Sequence, residues 1–244
     1  MKPLSERTRL IASATRKGGG RRPVNPPIER ASTMLSDRAQ DMRDPTLGPT
    51  YGLEGGSASR QLRNNLAELE EAAQAFLVPS GLAAVTVPIL ALIRPGDEVI
   101  TTDAVYGPSR RFLSRHLAQR GVTTRYLPAH ADAADFIQAI SPSTRLVLLE
   151  TPASLTFEMV DVAMIARACR ERGVMTVLDN TWGAGLSFKP LQHGVDVSVQ
   201  ALTKYAAGHS DVLIGSICVN DPTFGRSIRE TIEDQGWHVS PDDA

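Results

Sequence analysis

The sequence predicts an α/β protein built on a mostly parallel, doubly wound sheet. Three observations carry that prediction. Short apolar runs rich in Val, Leu and Ile alternate with amphipathic segments of helical periodicity. Breakers such as Pro79-Ser80-Gly81 and Pro95-Gly96-Asp97 separate them. The chain is also long enough for a sizeable core, at 244 residues with 42% apolar and 22% charged.

The elements follow in order. Residues 1–48 are rich in Arg, Gly and Pro, with Gly18-Gly19-Gly20 and Asn25-Pro26-Pro27 as breakers. They read as an arm laid over a surface of the same chain or of a partner, with a partly disordered tail as the alternative. A compact domain is expected over 49–244. Leu62, Leu66, Leu69 and Ala73 recur at helical spacing with acidic residues between them, which predicts a helix over 60–74. A strand at 75–78 runs through Pro79-Ser80-Gly81 into a second helix reaching about residue 93. Pro95-Gly96-Asp97 ends that helix before a strand at 98–101. Then come a helix near 108–119, a strand near 122–127, a helix near 132–139 and an apolar strand at 145–149. Helix 161–172 leads into a strand at 174–178, and 196–200 reads as another. Sheets of this kind bind ligands at the carboxyl ends of their strands, so functional residues are expected just after the apolar runs.

Composition narrows the function. With 26 basic and 27 acidic side chains the formal charge is −1, which gives no electrostatic reason for a nucleic acid or an anionic membrane as partner. The longest mostly apolar stretch, 83–93, is too short to span a bilayer, and the N-terminal apolar run is too short for a signal peptide. Two cysteines, Cys169 and Cys218, make no disulfide framework; both read as buried small side chains in a cytoplasmic protein. The five histidines lack metal-ligand spacing, and His209 to Asp211 reads as a turn with local hydrogen bonds. Gly18-Gly19-Gly20 follows no strand, so it makes no dinucleotide fingerprint.

A few residues can carry chemistry. Lys204, in Thr203-Lys204-Tyr205, follows a strand, where burial can make an ε-amine a usable nucleophile; a solvated loop lysine is the bland alternative. Asp179 ends the preceding strand and can face the same crevice, or serve as a helix N-cap. A lysine amine opposite a carboxylate that keeps a pyridine nitrogen protonated is what pyridoxal phosphate requires. Ser80-Gly81-Leu82 joins a strand to a helix, where backbone N–H groups can take up a phosphate, and the Thr203 hydroxyl can add to it. Tyr106, after the strand at 98–101, can stack on a flat ring or be a half-buried loop aromatic.

Together these segments resemble the Cys/Met-metabolism pyridoxal-phosphate enzymes. The resemblance rests on Ser80-Gly81-Leu82-Ala83-Ala84, Tyr106, Glu150-Thr151-Pro152, Asp179-Asn180-Thr181-Trp182, Thr203-Lys204-Tyr205 and Gly208-His209-Ser210-Asp211. It runs from about residue 25 to the end. Trp182, Ser154 and the Gln200-Ala201-Leu202-Thr203-Lys204 wording favour the bacterial cystathionine β-lyase branch over the γ-lyases and γ-synthases.

The resemblance implies a fold-type-I large domain whose Lys204 carries pyridoxal 5'-phosphate on its ε-amine. It further implies that Asp179 pairs with the ring nitrogen and Tyr106 stacks on the ring. The backbone of Gly81 and Leu82, with Thr203, would hold the phosphate. Lys204 or Tyr106 would take the Cα proton of an amino-acid substrate. Tyr51 matches a tyrosine that reaches a neighbouring subunit's phosphate, implying a homo-oligomer, dimer or larger. The implied reaction is β-elimination of cystathionine to homocysteine, pyruvate and ammonia. The alternatives are a γ-elimination or γ-replacement enzyme, or an inactive cofactor-binding chain. Two departures stand out. Leu53 occupies a position where the family often has a phosphate-binding arginine, with Arg60 as a nearby substitute. The family also continues into a smaller C-terminal domain carrying a carboxylate-binding arginine, which leads us to expect a truncated form.

Overall fold

A computed structural model of the chain describes residues 25–244 together with Ser5, Thr8 and Pro23. Seven strands form one sheet in the order β1-β7-β6-β5-β4-β2-β3. They are β1 (Gln74–Val78), β2 (Glu98–Thr102), β3 (Thr123–Leu127), β4 (Thr144–Glu150), β5 (Met175–Asp179), β6 (Val197–Ala201) and β7 (Gly215–Val219). The pairs β2–β3, β2–β4, β4–β5 and β5–β6 are parallel, whereas β7 runs antiparallel to both its neighbours, β1 and β6. The expected parallel sheet is thus present with one reversed strand in it.

Among the described residues, six α-helices cover the sheet: α1 (Ser57–Glu70), α2 (Gly81–Leu92), α3 (Gly107–Arg111), α4 (Ala133–Ala139), α5 (Val162–Glu171) and α6 (Pro222–Asp234). Side chains alternate across the pleat, as a doubly covered sheet requires. On β4, Leu146 and Leu148 join a core with α2, α6 and the segment after α3. Val147 and Leu149 point the other way, into a core with Phe136 of α4 and Ile165 of α5.

Helix α1 stops at Glu70, four residues before the expected end. Glu71 adopts a left-handed conformation (φ 54°), and the Ala72 N–H turns back to the Ala67 carbonyl at 2.8 Å. The helix expected near 108–119 is three pieces: α3, a π-helical stretch (Phe112–Leu117) and a 3-10 turn (Ala118–Arg120). Strand β7 and helix α6 were not anticipated. A short apolar run such as 212–219 has no periodicity that separates a buried strand from a helix.

Most of 1–24 lies outside the described residues. From residue 25 the arm lies along its own chain. The Gly52 N–H donates to the Ser32 carbonyl at 2.7 Å, and the Ser57 N–H to Glu29 Oε2 at 2.6 Å. A Cβ at Gly52 would stand 2.0 Å from the Ala31 carbonyl oxygen, so the close passage needs glycine here. Arg30 pairs with Asp242 at the far end of the chain.

Candidate active site

Three charged residues meet where the parallel strands end. Glu150 is the last residue of β4 and is in register with Asp179, the last residue of β5. Lys204 lies just past the end of β6, in a turn fixed by N–H···O bonds from Lys204 to Ala201 (3.1 Å) and from Gly208 to Lys204 (2.9 Å). The ammonium Nζ stands 5.4 Å from the centroid of the Tyr106 ring, within cation–π range.

Each partner is held from a different element. Asp179 Oδ1 accepts from the Thr181 N–H (3.0 Å) and the Thr181 hydroxyl (2.6 Å). The same hydroxyl accepts the Ala201 N–H at 2.8 Å, tying Asp179 to the end of β6. Oδ2 makes no hydrogen bond among the described residues. Glu150 Oε2 accepts the Tyr106 N–H at 2.6 Å, and Oε1 accepts the Ser154 hydroxyl. Glu150 therefore links the loop after β2 to the loop after β4.

Burial raises the Asp179 carboxyl above the usual carboxylate range, against the Thr181 bonds and the Lys204 charge. Burial and then the Asp179 charge raise Glu150, again opposed by Lys204 among others.

A candidate anion cradle lies at the end of β1. The Ser80 hydroxyl accepts the Ala83 N–H at 3.1 Å and its carbonyl accepts the Ala84 N–H at 3.0 Å, capping α2. The N–H groups of Gly81 and Leu82, in the first turn, keep no intrahelical acceptor. Gly81 also has a packing reason: a Cβ there would lie 2.4 Å from the Ala201 Cβ, at the end of β6. Thr203 is differently engaged from the expectation. Its hydroxyl donates to the Ile214 carbonyl (3.2 Å) and accepts the Ile214 N–H (3.1 Å), so its proton is already committed. Tyr51 is 55% exposed and lines a separate hollow of about 510 Å³ with Glu29, Arg30, His238 and Asp242.

Two features escaped the sequence. Glu70 is fully buried at the end of α1, accepting from Asn180 Nδ2 (3.2 Å), Ser198 Oγ (3.2 Å) and Gln200 Nε2. It braces the residue after Asp179 and the strand that leads to Lys204. Its place four residues after buried Leu66 was the available signal. The second is an aromatic ladder, with Trp182 edge-on to Phe157 (5.3 Å) and to Tyr205 (5.7 Å) on the loops after β4, β5 and β6. Both cysteines are buried, as expected; burial pushes the Cys169 thiol up to about 12. His209 Nδ1 contacts the Ala207 carbonyl at 2.8 Å in the expected local turn. No cluster of His, Cys, Asp and Glu among the described residues could hold a metal.

A model of the Cys/Met metabolism PLP-dependent enzyme family matches residues 7–244. The chain belongs to that family. Within it, this chain is 40% identical over 222 residues to a putative cystathionine beta-lyase of Rhizobium johnstonii, covering 91% of this chain and 55% of that protein. It is 38% identical to the cystathionine beta-lyase MetC of Escherichia coli, over 91% of this chain and 57% of that protein. In structure it matches a methionine gamma lyase from Micromonospora echinospora with a TM-score of 0.88 at 34% identity, covering 100% of this chain and 64% of that one. The chain thus spans a little over half the length of these curated relatives.

The family depends on pyridoxal phosphate, and the residues present fit that group. The unpartnered N–H groups at Gly81 and Leu82 suit its phosphate, and the unpartnered Asp179 Oδ2 suits a protonated pyridine nitrogen. Among the described residues, no helix is long and apolar enough to cross a membrane.

Proposed function

We propose that the protein is a pyridoxal-phosphate-dependent carbon–sulfur lyase of the cystathionine β-lyase type. The observation that carries this reading is Lys204 Nζ over the Tyr106 ring, with Asp179 and Glu150 in register with each other and both acted on by the Lys204 charge. The cystathionine beta-lyases at 38–40% identity supply the substrate class.

In this reading Lys204 would hold the cofactor through its ε-amine, Tyr106 would lie against the ring, and Gly81 and Leu82 would donate to the phosphate. Bound there, pyridoxal phosphate supplies an electron sink for negative charge developing at the substrate Cα. The chain's residues do the rest. Asp179 would hold a proton on the ring nitrogen by its charge, with Thr181 fixing the carboxylate's direction. The Lys204 amine would take the Cα proton, with the Tyr106 hydroxyl as the second candidate base. Glu150 keeps Tyr106 at its height through the backbone N–H. Cystathionine and water give homocysteine, pyruvate and ammonia. Thr203, bound to Ile214, would offer the phosphate a lone pair and no proton.

Exposed Tyr51 supports a homo-oligomer in which it would reach a neighbour's phosphate. The domain division at about residue 48 remains our proposal, supported by the way 25–33 lie over the segment around Gly52. The similarity to a methionine gamma lyase favours a second reading, γ-elimination. Product analysis separates the two: pyruvate from cystathionine supports β-elimination, and 2-oxobutyrate as the main product would replace it with γ-elimination.

A further inference from the structure

A second concentration of charge lies at the opposite end of the sheet. Arg60 and Arg63 of α1 and Arg229 of α6 converge on a hollow of about 290 Å³ beside the start of edge strand β1. Its remaining polar lining is the amides Asn64 and Gln74, and no carboxylate lines it. Phe76 forms an apolar wall, with the Arg229 guanidinium 5.4 Å from its ring centroid.

These arginines are not neutralised internally. Among the described residues none of the three guanidinium groups is in an ion pair or a hydrogen bond. Arg63 is half-buried, and burial, then the charges of Arg229 and Arg60, lower its pKa below the ordinary value. Glu54 partly offsets this, but it lines two other hollows that share Arg63, one with Glu233 and one with Asp44, and not this one. Three like charges held together with only a partial offset from Glu54 repel one another, and a bound anion relieves that repulsion.

We propose that this hollow binds a compact phosphate-bearing anion at a site distinct from the one around Lys204. The chemistry selects phosphate over a single carboxylate. Three guanidinium forks and two amides offer donors from several directions, whereas one carboxylate has two oxygens and saturates one fork. The site is also distant from the cradle at Gly81, which follows the other end of β1, roughly 13 Å away along a strand rising about 3.3 Å per residue.

The test is calorimetric titration of the 244-residue chain with pyrophosphate and, separately, citrate, at constant ionic strength. Saturable one-to-one pyrophosphate binding is expected, weakened at least tenfold in an Arg63→Gln/Arg229→Gln double variant. An Arg167→Gln/Arg226→Gln variant removes the same charge from exposed positions outside the hollow and should bind as the parent does. Equal weakening in both variants would mean non-specific attraction and overturn the site. Unchanged binding in Arg63→Gln/Arg229→Gln would move the anion to the Gly81 cradle and also overturn it. Tighter binding of citrate than of pyrophosphate would overturn the phosphate assignment. Peptide mapping after phenylglyoxal treatment of the unsubstituted chain gives a check independent of variant folding: pyrophosphate should protect Arg63 and Arg229 at least tenfold more than Arg167. Absence of protection counts against the site.

Discussion

Glu150 and Asp179 stand opposite each other at the last paired position of β4 and β5, and both carboxyls are raised above their ordinary range. Burial raises both, the Asp179 charge further opposes ionisation of Glu150, and the Lys204 charge offsets part of that cost for both. The three groups therefore form one electrostatic unit. Removing the Lys204 charge is expected to raise both carboxyls further.

Lys204 should be the residue that captures pyridoxal phosphate. The chain has four lysines, and Lys189 is engaged with the Leu69 carbonyl at 2.6 Å and with Glu71 at 3.4 Å. After borohydride reduction, the pyridoxyl label should appear on the peptide containing Lys204 and vanish in Lys204→Ala. Label on Lys2, Lys17 or Lys189 would refute the assignment.

Asp179→Asn should separate electronics from folding. Asparagine keeps the size of the side chain and can accept the Thr181 bonds, but it loses the charge that would hold a pyridine proton. We expect thermal stability within about 1 kcal/mol of the parent, since the lost charge is already penalised by burial. Wherever elimination is measurable, it should slow by on the order of 10² or more, as for loss of a transition-state electrostatic contact. Turnover near the parent's would remove Asp179 from its role.

The candidate site was legible in the sequence wherever one of its residues stands at the end of a clean apolar run. Asp179 closes β5 and Lys204 lies just beyond β6, so their common edge followed from the alternation of strands and helices. Glu70 was hidden because Glu68, Glu70 and Glu71 look alike in sequence; only Asn180, Ser198 and Gln200, all more than a hundred residues away, mark it as buried. Thr203 was legible as a residue beside the lysine but not in its engagement with Ile214, which depends on how the chain returns into β7. That return was the least visible part of the fold.

Gly81→Ala tests the packing under the anion cradle. The added Cβ would lie 2.4 Å from the Ala201 Cβ and 2.9 Å from its Cα, and neither is the movable end of a flexible side chain. The start of α2 must shift away from β6. Overpacking of this kind costs about 1–3 kcal/mol. Chemical denaturation should show that loss together with weaker pyridoxal phosphate binding, and parent-like values of both would contradict the close contact.

Glu98 should make stability depend on acid. Burial alone would raise its carboxyl, but hydrogen bonds from Thr144 (2.7 Å), Arg125 (3.1 and 3.2 Å) and Ser141 (3.1 Å), with the Arg125 charge, lower it overall. A carboxyl that binds protons less readily folded than unfolded stabilises the fold above its ordinary value of 4.5, and that contribution fades as pH falls through the lower folded value. Glu98→Gln should therefore cost about 1.5–3 kcal/mol at pH 7, the range for hydrogen bonds to a charged group. The gap from the parent should narrow below pH 4. A gap that widens in acid would reverse the sign.

The reversed strand has a consequence for how the protein is made. On the ribosome β1 emerges first of the seven strands, yet its only partner in the sheet, β7, emerges last. At a synthesis rate of about 5–20 residues per second, β1 waits on the order of ten seconds for that partner. The edge formed by Phe76 and Val78, buried in the finished protein, must be sheltered during that interval. Helix α2, which directly follows β1 and packs on it, is available far earlier than β7 and gives the newborn strand its first cover.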